Sequence, residues 1–110
     1  MFETIHDEAE LSRLIASEPA VLAYFSAPEC NVCQMLKPKI ADLLAEEFPR
    51  VRAVYVDCSK HRAACAQQQV FGIPTVAVWL DGREHLRRVR NFSVGELRDA
   101  LARPYEMLFE

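Results

Sequence analysis

The segment Ala20-Val21-Leu22-Ala23-Tyr24-Phe25 narrows the fold more than any other stretch of the chain. It is a continuous apolar run without polar residues at alternate positions, so as a strand it needs apolar cover on both faces. A sheet built around such a strand lies between two layers of helices, and the chain must supply both. Asp7 and Glu10 have capping-box spacing ahead of Leu11, Leu14 and Ile15, predicting a helix that ends before Ser17-Glu18-Pro19. From Asn31 to Glu47, Leu36, Ile40, Leu43 and Leu44, followed by Phe48, recur mostly at spacings of three and four, predicting a long helix closed by Pro49.

Three more segments complete the sheet. Val51 to Val56 and Thr75 to Leu80 are β-rich and apolar, and Asp81-Gly82 is a hairpin signal leading into a polar strand from Glu84 to Arg90. Ser59 is placed to cap a helix running towards Gln69. Ser93 and Glu96 form a second capping box, opening a last helix with Leu97 and Leu101 inward and Pro104 just beyond its end. Met1 to Ile5 suits a short edge strand. Strands alternating with helices imply βαβ units with parallel pairing, and the hairpin adds an antiparallel edge. The expectation is an α/β fold with a central mixed sheet of four to five strands and helices on both faces. With 110 residues, three glycines and no repeat or linker, residues 1–110 form a single domain.

Composition removes several classes of function. An apolar share of 51% with 26% charged residues is that of a folded chain, and a net charge of −3 without a long Lys/Arg run argues against nucleic acid as a partner. The apolar run above is far too short to span a membrane, and the N-terminus lacks the basic and apolar regions of an export signal. A cytoplasmic location is therefore expected. In that reducing compartment, four cysteines serve catalysis, metal binding or burial more readily than structural disulfides.

Cys30-Asn31-Val32-Cys33 stands where the buried strand gives way to the long helix. Cysteines three apart at a helix start share one face, at roughly 5–6 Å between Cβ atoms, so a disulfide closes with little strain. Cys30 also meets unpaired backbone N–H groups and the positive end of the helix dipole, which favour its thiolate. Cys30 is therefore the candidate nucleophile, and Cys33, one turn in and more shielded, the resolving thiol.

The cysteine pair and the segments around it resemble the thioredoxin family. The similar parts are the strand ending in Ala23-Tyr24-Phe25-Ser26-Ala27-Pro28-Glu29, the Cys-x-x-Cys opening a helix, and Pro38, where family members kink that helix. Val54-Tyr55-Val56-Asp57 resembles the family's central strand, Gly72-Ile73-Pro74-Thr75 its cis-proline loop, and Asp81-Gly82 its turn between the last strands. An Ile-Pro-Thr about forty residues after the cysteine pair, in this strand order, is a far more specific signal than Cys-x-x-Cys alone.

The resemblance implies a cis Ile73–Pro74 bond lying against the cysteines, with Gly72, Ile73 and Pro74 forming a substrate-binding edge to which an extended segment adds by strand pairing. It implies a monomeric protein-disulfide reductase that binds no cofactor beyond its own Cys30–Cys33 redox disulfide. In that mechanism Cys30 attacks a substrate disulfide and Cys33 resolves the mixed disulfide. Thioredoxin reductase fed by NADPH, or a glutathione system, resets the pair. The competing expectation is a non-catalytic binding or chaperone-type module whose cysteines tune its conformation, since fold alone does not assign function.

Departures from the family pattern feed that rival. Glu29 puts a carboxylate beside Cys30 where typical members have tryptophan, which raises the cost of the thiolate and disfavours acidic partners. Tyr24 matches the position of the family's buried aspartate, and Ala53 that of its lysine partner. Tyr24 is then either a hydrogen-bond donor or simply core. Arg90 stands where a glycine normally lets substrate approach. With Arg83, Arg87 and Arg88 it either makes a charged edge that discourages aggregation or selects an acidic partner.

Cys58 and Cys65 are seven apart, and within one intact helix roughly 10.5 Å of rise puts them beyond disulfide reach. They are expected to be buried, bonding only if that helix opens, although a similar extra pair in some animal thioredoxins behaves as a regulatory disulfide. A zinc site would need four such ligands, and only one pair has the short ligand spacing, so no metal is expected. His6, His61 and His85 are read as surface residues, and Met35, Met107 and Phe109 as packing.

Overall fold

The computed structural model describes residues 2–110, so Met1, the first residue of the expected edge strand, lies outside the description. The elements are β1 (Glu3–Thr4), α1 (Glu10–Ser17), β2 (Ala20–Ser26), α2 (Asn31–Glu47), β3 (Arg52–Asp57), α3 (Arg62–Gln67), β4 (Thr75–Leu80), β5 (Arg83–Val89) and α4 (Val94–Phe109). The strands form one five-stranded sheet in the order β1-β3-β2-β4-β5. β3 runs parallel to β1 and β2, whereas β4 is antiparallel to both β2 and β5.

Strand β2 is the axis of the molecule, and all seven of its residues are buried. Because side chains alternate across a strand, Leu22 and Tyr24 pack on one face with Ile40, Leu43 and Leu44 of α2 and Leu97 and Leu101 of α4. Val21, Ala23 and Phe25 pack on the other with Leu11 and Ile15 of α1 and Ala64 and Cys65 of α3. The apolar run thus receives the two-sided cover that its composition demands. Asp81 and Gly82 turn the β4–β5 hairpin with φ of 52° and 80°, the left-handed conformation of a two-residue hairpin turn.

Several boundaries differ from the sequence expectation. Helix α1 starts at Glu10 rather than at an Asp7 cap, because the Asp7 carboxylate is spent on the turn before it, accepting from Ala9 N–H at 3.0 Å. Helix α3 starts at Arg62, not after Ser59, since Ser59 donates its N–H and hydroxyl to Asp57 Oδ1 at 2.9 and 2.6 Å in an Asx turn. Ser93 does cap α4, accepting from Glu96 N–H at 3.1 Å, but α4 continues through Pro104 to Phe109. A proline forfeits one helical hydrogen bond. Here Tyr105 packs edge-on against Phe48 at 5.0 Å, lies 4.8 Å from Phe109 and accepts Arg50 N–H at 3.1 Å, which holds the last turns.

Three packing assignments are corrected as well. Met35 and Met107 are 67% and 68% exposed, because each falls on the outward side of its helix, while Phe109 packs as expected. His61 is buried, drawn inward by Glu8, whose carboxylate oxygens meet His61 Nδ1 at 2.5 Å and Ala64 N–H at 2.7 Å.

Candidate redox site

The C-terminal ends of β2, β3 and β5 and the start of β4 meet at one end of the sheet, where Ser26 pairs with Asp57, Phe25 with Thr75 and Thr75 with Val89. Residues that leave these strand ends are thereby gathered without being close in sequence. Glu29 and Cys30 follow β2, Ile73 and Pro74 lead into β4, and Arg90 follows β5.

Cys30 and Cys33 are joined by a disulfide with 5.2 Å between their Cα atoms. Cys30 is the N-cap residue of α2, and its Sγ accepts the Cys33 N–H at 3.3 Å. A disulfide sulfur here fills the role that a serine or aspartate oxygen fills in other helices, satisfying one of the orphan donors of the first turn. Cys33 is fully buried in the α2 face of the core, whereas Cys30 is partly exposed. Pro38 lies inside α2, where its missing N–H leaves the Gln34 carbonyl without its helical donor.

Tyr24 combines the two roles left open for it. It is completely buried and its hydroxyl donates to the Cys33 carbonyl at 2.8 Å. Burial, reinforced by Tyr55, pushes its phenol up to about 12, so at neutral pH it stays protonated. A group with that affinity for its proton does not act as a base for Cys33. A polar chain continues on the same side: Tyr55 donates to Ser26 Oγ at 3.1 Å, Gln34 donates to the Ala27 carbonyl at 3.2 Å, and Lys37 Nζ sits 4.1 Å above the Tyr55 ring.

The Ile73–Pro74 peptide bond is cis, and Pro74 is buried. Thr75 Oγ1 donates to the Gly72 carbonyl at 2.6 Å, and Arg90 N–H donates to the Pro74 carbonyl at 2.7 Å, which fixes this loop to the end of β5. Glu29 is exposed at the neighbouring strand end. Sequence reasoning missed Phe71, which is 85% exposed beside Gly72. Its one visible signal is a large aromatic residue in a loop outside any apolar period.

Cys58 and Cys65 lie elsewhere, on the α1/α3 face, and they too form a disulfide, with 5.8 Å between Cα atoms. The expectation that they lie beyond reach assumed one helix containing both. Because α3 begins only at Arg62, Cys58 belongs to the turn after β3, and the chain doubles back far enough for the sulfurs to meet. Among the described residues no group of three or more His, Cys, Asp or Glu side chains is placed to hold a metal ion, and no helix is long and apolar enough to cross a membrane.

A cysteine pair at a helix start, a cis-proline loop beside it and a five-stranded mixed sheet with two helices on each face define a thioredoxin-fold protein with a Cys-x-x-Cys site. The family model described as thioredoxin matches residues 3–103, and the chain belongs to the thioredoxin family. It is 31% identical over 88 residues to thioredoxin Asp f 28 of Aspergillus fumigatus, covering 80% of each chain. Against the thioredoxin-like protein YdfQ of Bacillus subtilis it is 24% identical over 103 residues, covering 94% of this chain and 91% of that one. The X-ray structure of Fasciola hepatica thioredoxin superposes with a TM-score of 0.82 at 27% identity, covering 93% of this chain and 98% of that one.

Proposed function

We propose that this protein is a thiol-disulfide oxidoreductase that reduces disulfides of other proteins. The observation that carries the proposal is the asymmetry of the cysteine pair, with a partly exposed Cys30 at the N-cap of a 17-residue helix and a fully buried Cys33 behind it. An attacking sulfur must be reachable and a resolving sulfur must be shielded until the first has reacted.

In the reduced protein, the Cys33 N–H and the N-terminal end of the α2 dipole stabilise the Cys30 thiolate. That thiolate attacks one sulfur of the substrate disulfide, forming a mixed disulfide and releasing the other substrate sulfur as a thiolate. Cys33, as its thiolate, then attacks Cys30, freeing the second substrate sulfur and closing the Cys30–Cys33 bond. Two electrons pass from protein to substrate, and the released thiolates take up protons from solvent. A thioredoxin reductase fed by NADPH, or a glutathione system, returns the electrons in a reducing cytoplasm, with the protein acting as a monomer. Gly72, Ile73 and Pro74 form the edge along which the substrate segment lies.

One observation favours the rival reading, a binding module whose cysteines only tune its shape. Tyr24 is a phenol with a strongly held proton where a base for Cys33 is wanted, and it is aimed at the Cys33 carbonyl rather than its sulfur. Reduction of insulin by dithiothreitol separates the two readings. Wild type should accelerate precipitation of the insulin chains, whereas Cys30→Ser and Cys33→Ser should not exceed the rate with dithiothreitol alone. A wild-type rate equal to that background overturns the reductase proposal in favour of the module.

A further inference from the structure

Arg90, which follows β5, differs from Arg87 and Arg88 within that strand, whereas Arg83 at the hairpin end also lacks an ion-pair partner among the described residues. Arg87 pairs with Glu84 at 2.9 Å and Arg88 with Glu96 at 3.0 Å, so those two are neutralised on the sheet edge. The Arg90 side chain has no hydrogen-bond or ion-pair partner among the described residues, and the residue is exposed. Its backbone stands at φ 61°, a conformation that costs energy for any residue with a side chain and that glycine would adopt freely. Strain retained at a binding edge points to a role for the side chain that causes it.

The guanidinium is folded onto the candidate substrate edge. Its Nε and Nη2 lie 2.7 and 2.8 Å from where a Cβ on Gly72 would stand, and the Arg90 N–H holds the Pro74 carbonyl. An unpaired fork of donors therefore covers the loop along which an extended segment would lie. Apolar side chains flank it, Phe71 at 85% and Val89 at 47% exposure, with Val32 at 54% on the helix side of the cysteines.

We propose that Arg90 is a specificity-determining residue that pairs with the carboxylate of an aspartate or glutamate adjacent to the attacked cysteine of a protein disulfide. This rests on the reductase reading and names its substrate class. A planar guanidinium matches a carboxylate through two parallel hydrogen bonds, and neutral side chains cannot complete both. Glu29 fixes which side of the cysteine carries the acid. In the strand order β2-β4-β5, Glu29 lies in the loop that follows β2 and Arg90 directly follows β5, with the cis-proline loop leading into β4 between those strands. Two strand spacings, roughly 10 Å, separate the ends of β2 and β5, about one Debye length in ordinary buffer, so each charge acts most strongly on the part of the substrate nearest it. An acidic side chain is repelled at the Glu29 lip and held at the Arg90 lip.

The test uses the full chain, reduced with dithiothreitol and freed of it, mixed with peptide dimers joined by one disulfide. The peptides differ only at one position flanking cysteine, on its N-terminal side in one set of three and on its C-terminal side in a second, which is aspartate, asparagine or lysine, and peptide thiol is followed by chromatography in a single turnover. In one of the two sets, the one whose varied residue faces Arg90, wild type should reduce the aspartate dimer roughly five-fold faster than the asparagine dimer and the lysine dimer more slowly still, with the spread shrinking as salt is added. Arg90→Gly, which suits the observed φ and so keeps the fold, should collapse the spread, and Arg90→Glu should reverse the order. Equal wild-type rates within both sets, or an order unchanged in Arg90→Glu, overturn the proposal while leaving the reductase reading intact. No reduction of any dimer by wild type overturns both.

Discussion

Cys30–Cys33 and Cys58–Cys65 are chemically the same bond placed on opposite faces of one sheet. The first belongs to the core layer under α2 and α4, the second to the layer under α1 and α3. They are also neighbours through the backbone, because Cys58 N–H donates at 2.8 Å to the carbonyl of Ser26, the last residue of the strand that leads to Cys30. Their surroundings differ in what adjoins the partly exposed sulfur. Each pair has one partly exposed and one buried cysteine, Cys30 with Cys33 and Cys58 with Cys65, but Cys30 caps the 17-residue α2, whereas Cys58 lies in the turn after β3 and Cys65 in the six-residue α3. A thiolate leaves faster from the N-terminus of a long helix, where backbone N–H groups and the helix dipole stabilise it, and this separates a disulfide that exchanges from one that ties the chain together.

The largest contrast is kinetic. With limiting dithiothreitol at neutral pH, Cys30–Cys33 should open at least roughly a hundredfold faster than Cys58–Cys65, a barrier difference of about 2.7 kcal/mol. Differential alkylation followed by mass spectrometry of the two peptides reads both rates from one sample. Equal rates would place Cys58–Cys65 in the same working surface as the first pair.

Thermodynamics should run the other way. Removing Cys58–Cys65 by a double substitution to alanine releases a short loop between the end of β3 and α3, and loop closure of that size is worth about 2 kcal/mol. Urea unfolding without reductant should show that loss, while insulin reduction by the same variant stays within about two-fold of wild type, since the pair lies on the far face from Cys30. A larger loss of activity would give Cys58 and Cys65 a regulatory role in the redox cycle.

Tyr24 sharpens the contrast on the first side. Tyr24→Phe leaves the ring in place and deletes a buried hydrogen bond to Cys33, at a cost of about 1 kcal/mol. It should also change the alkaline limb of stability. Because the folded phenol is pushed up to about 12 from an ordinary 10.0, the unfolded chain loses this proton first. Tyr24 therefore contributes stability that is complete below pH 10.0 and is lost as pH rises towards about 12. Denaturant midpoints across that range should fall less steeply in Tyr24→Phe than in wild type.

How the two regions came to be so unequally readable has a physical basis. The first is specified by local signals: a two-sided apolar strand, a helical period starting at the cysteines, a proline-containing loop and a Ser93 cap, each decided within a few residues. The second depends on where α3 begins, and that is decided from far away. Glu8 lies 53 residues before His61, yet its carboxylate takes up both the His61 ring and the Ala64 N–H, capping α3 from the turn ahead of α1. No window around Cys58 contains that information, so an uninterrupted helix from Ser59 and a surface His61 are the natural local readings. Arg90 is intermediate. Its position after β5 is legible, but its left-handed backbone and its place over Gly72 exist only once the cis-proline loop has folded against it.

That long-range cap gives the smallest effect and the finest test of the comparison. The bond to His61 and the Ala64 N–H hold the Glu8 carboxyl below its ordinary value of 4.5. Near it, Glu3 is lowered by Arg52, Asp7 by Arg13 and Glu10 by the His6 N–H, so acid acts on the whole N-terminal edge. In the window between 4.5 and the depressed folded value, the unfolded chain binds the proton and the folded chain does not, so this contribution is full above 4.5 and fades as pH falls. The part due to Glu8 loosens α3 and with it the cover over Cys58–Cys65, while the Cys30–Cys33 pair on the opposite face keeps its surroundings. A water-soluble phosphine reduces disulfides in acid, and the ratio of its rates on the two pairs cancels the reagent's own pH dependence. From about pH 6 to about pH 3 the ratio should shift towards Cys58–Cys65 in wild type, and in Glu8→Gln it should already be shifted at the upper end and change less. A wild-type ratio that does not move with pH would mean that α3 keeps its place without Glu8, and that the second disulfide is shielded by the packing of Leu11 and Ile15 alone.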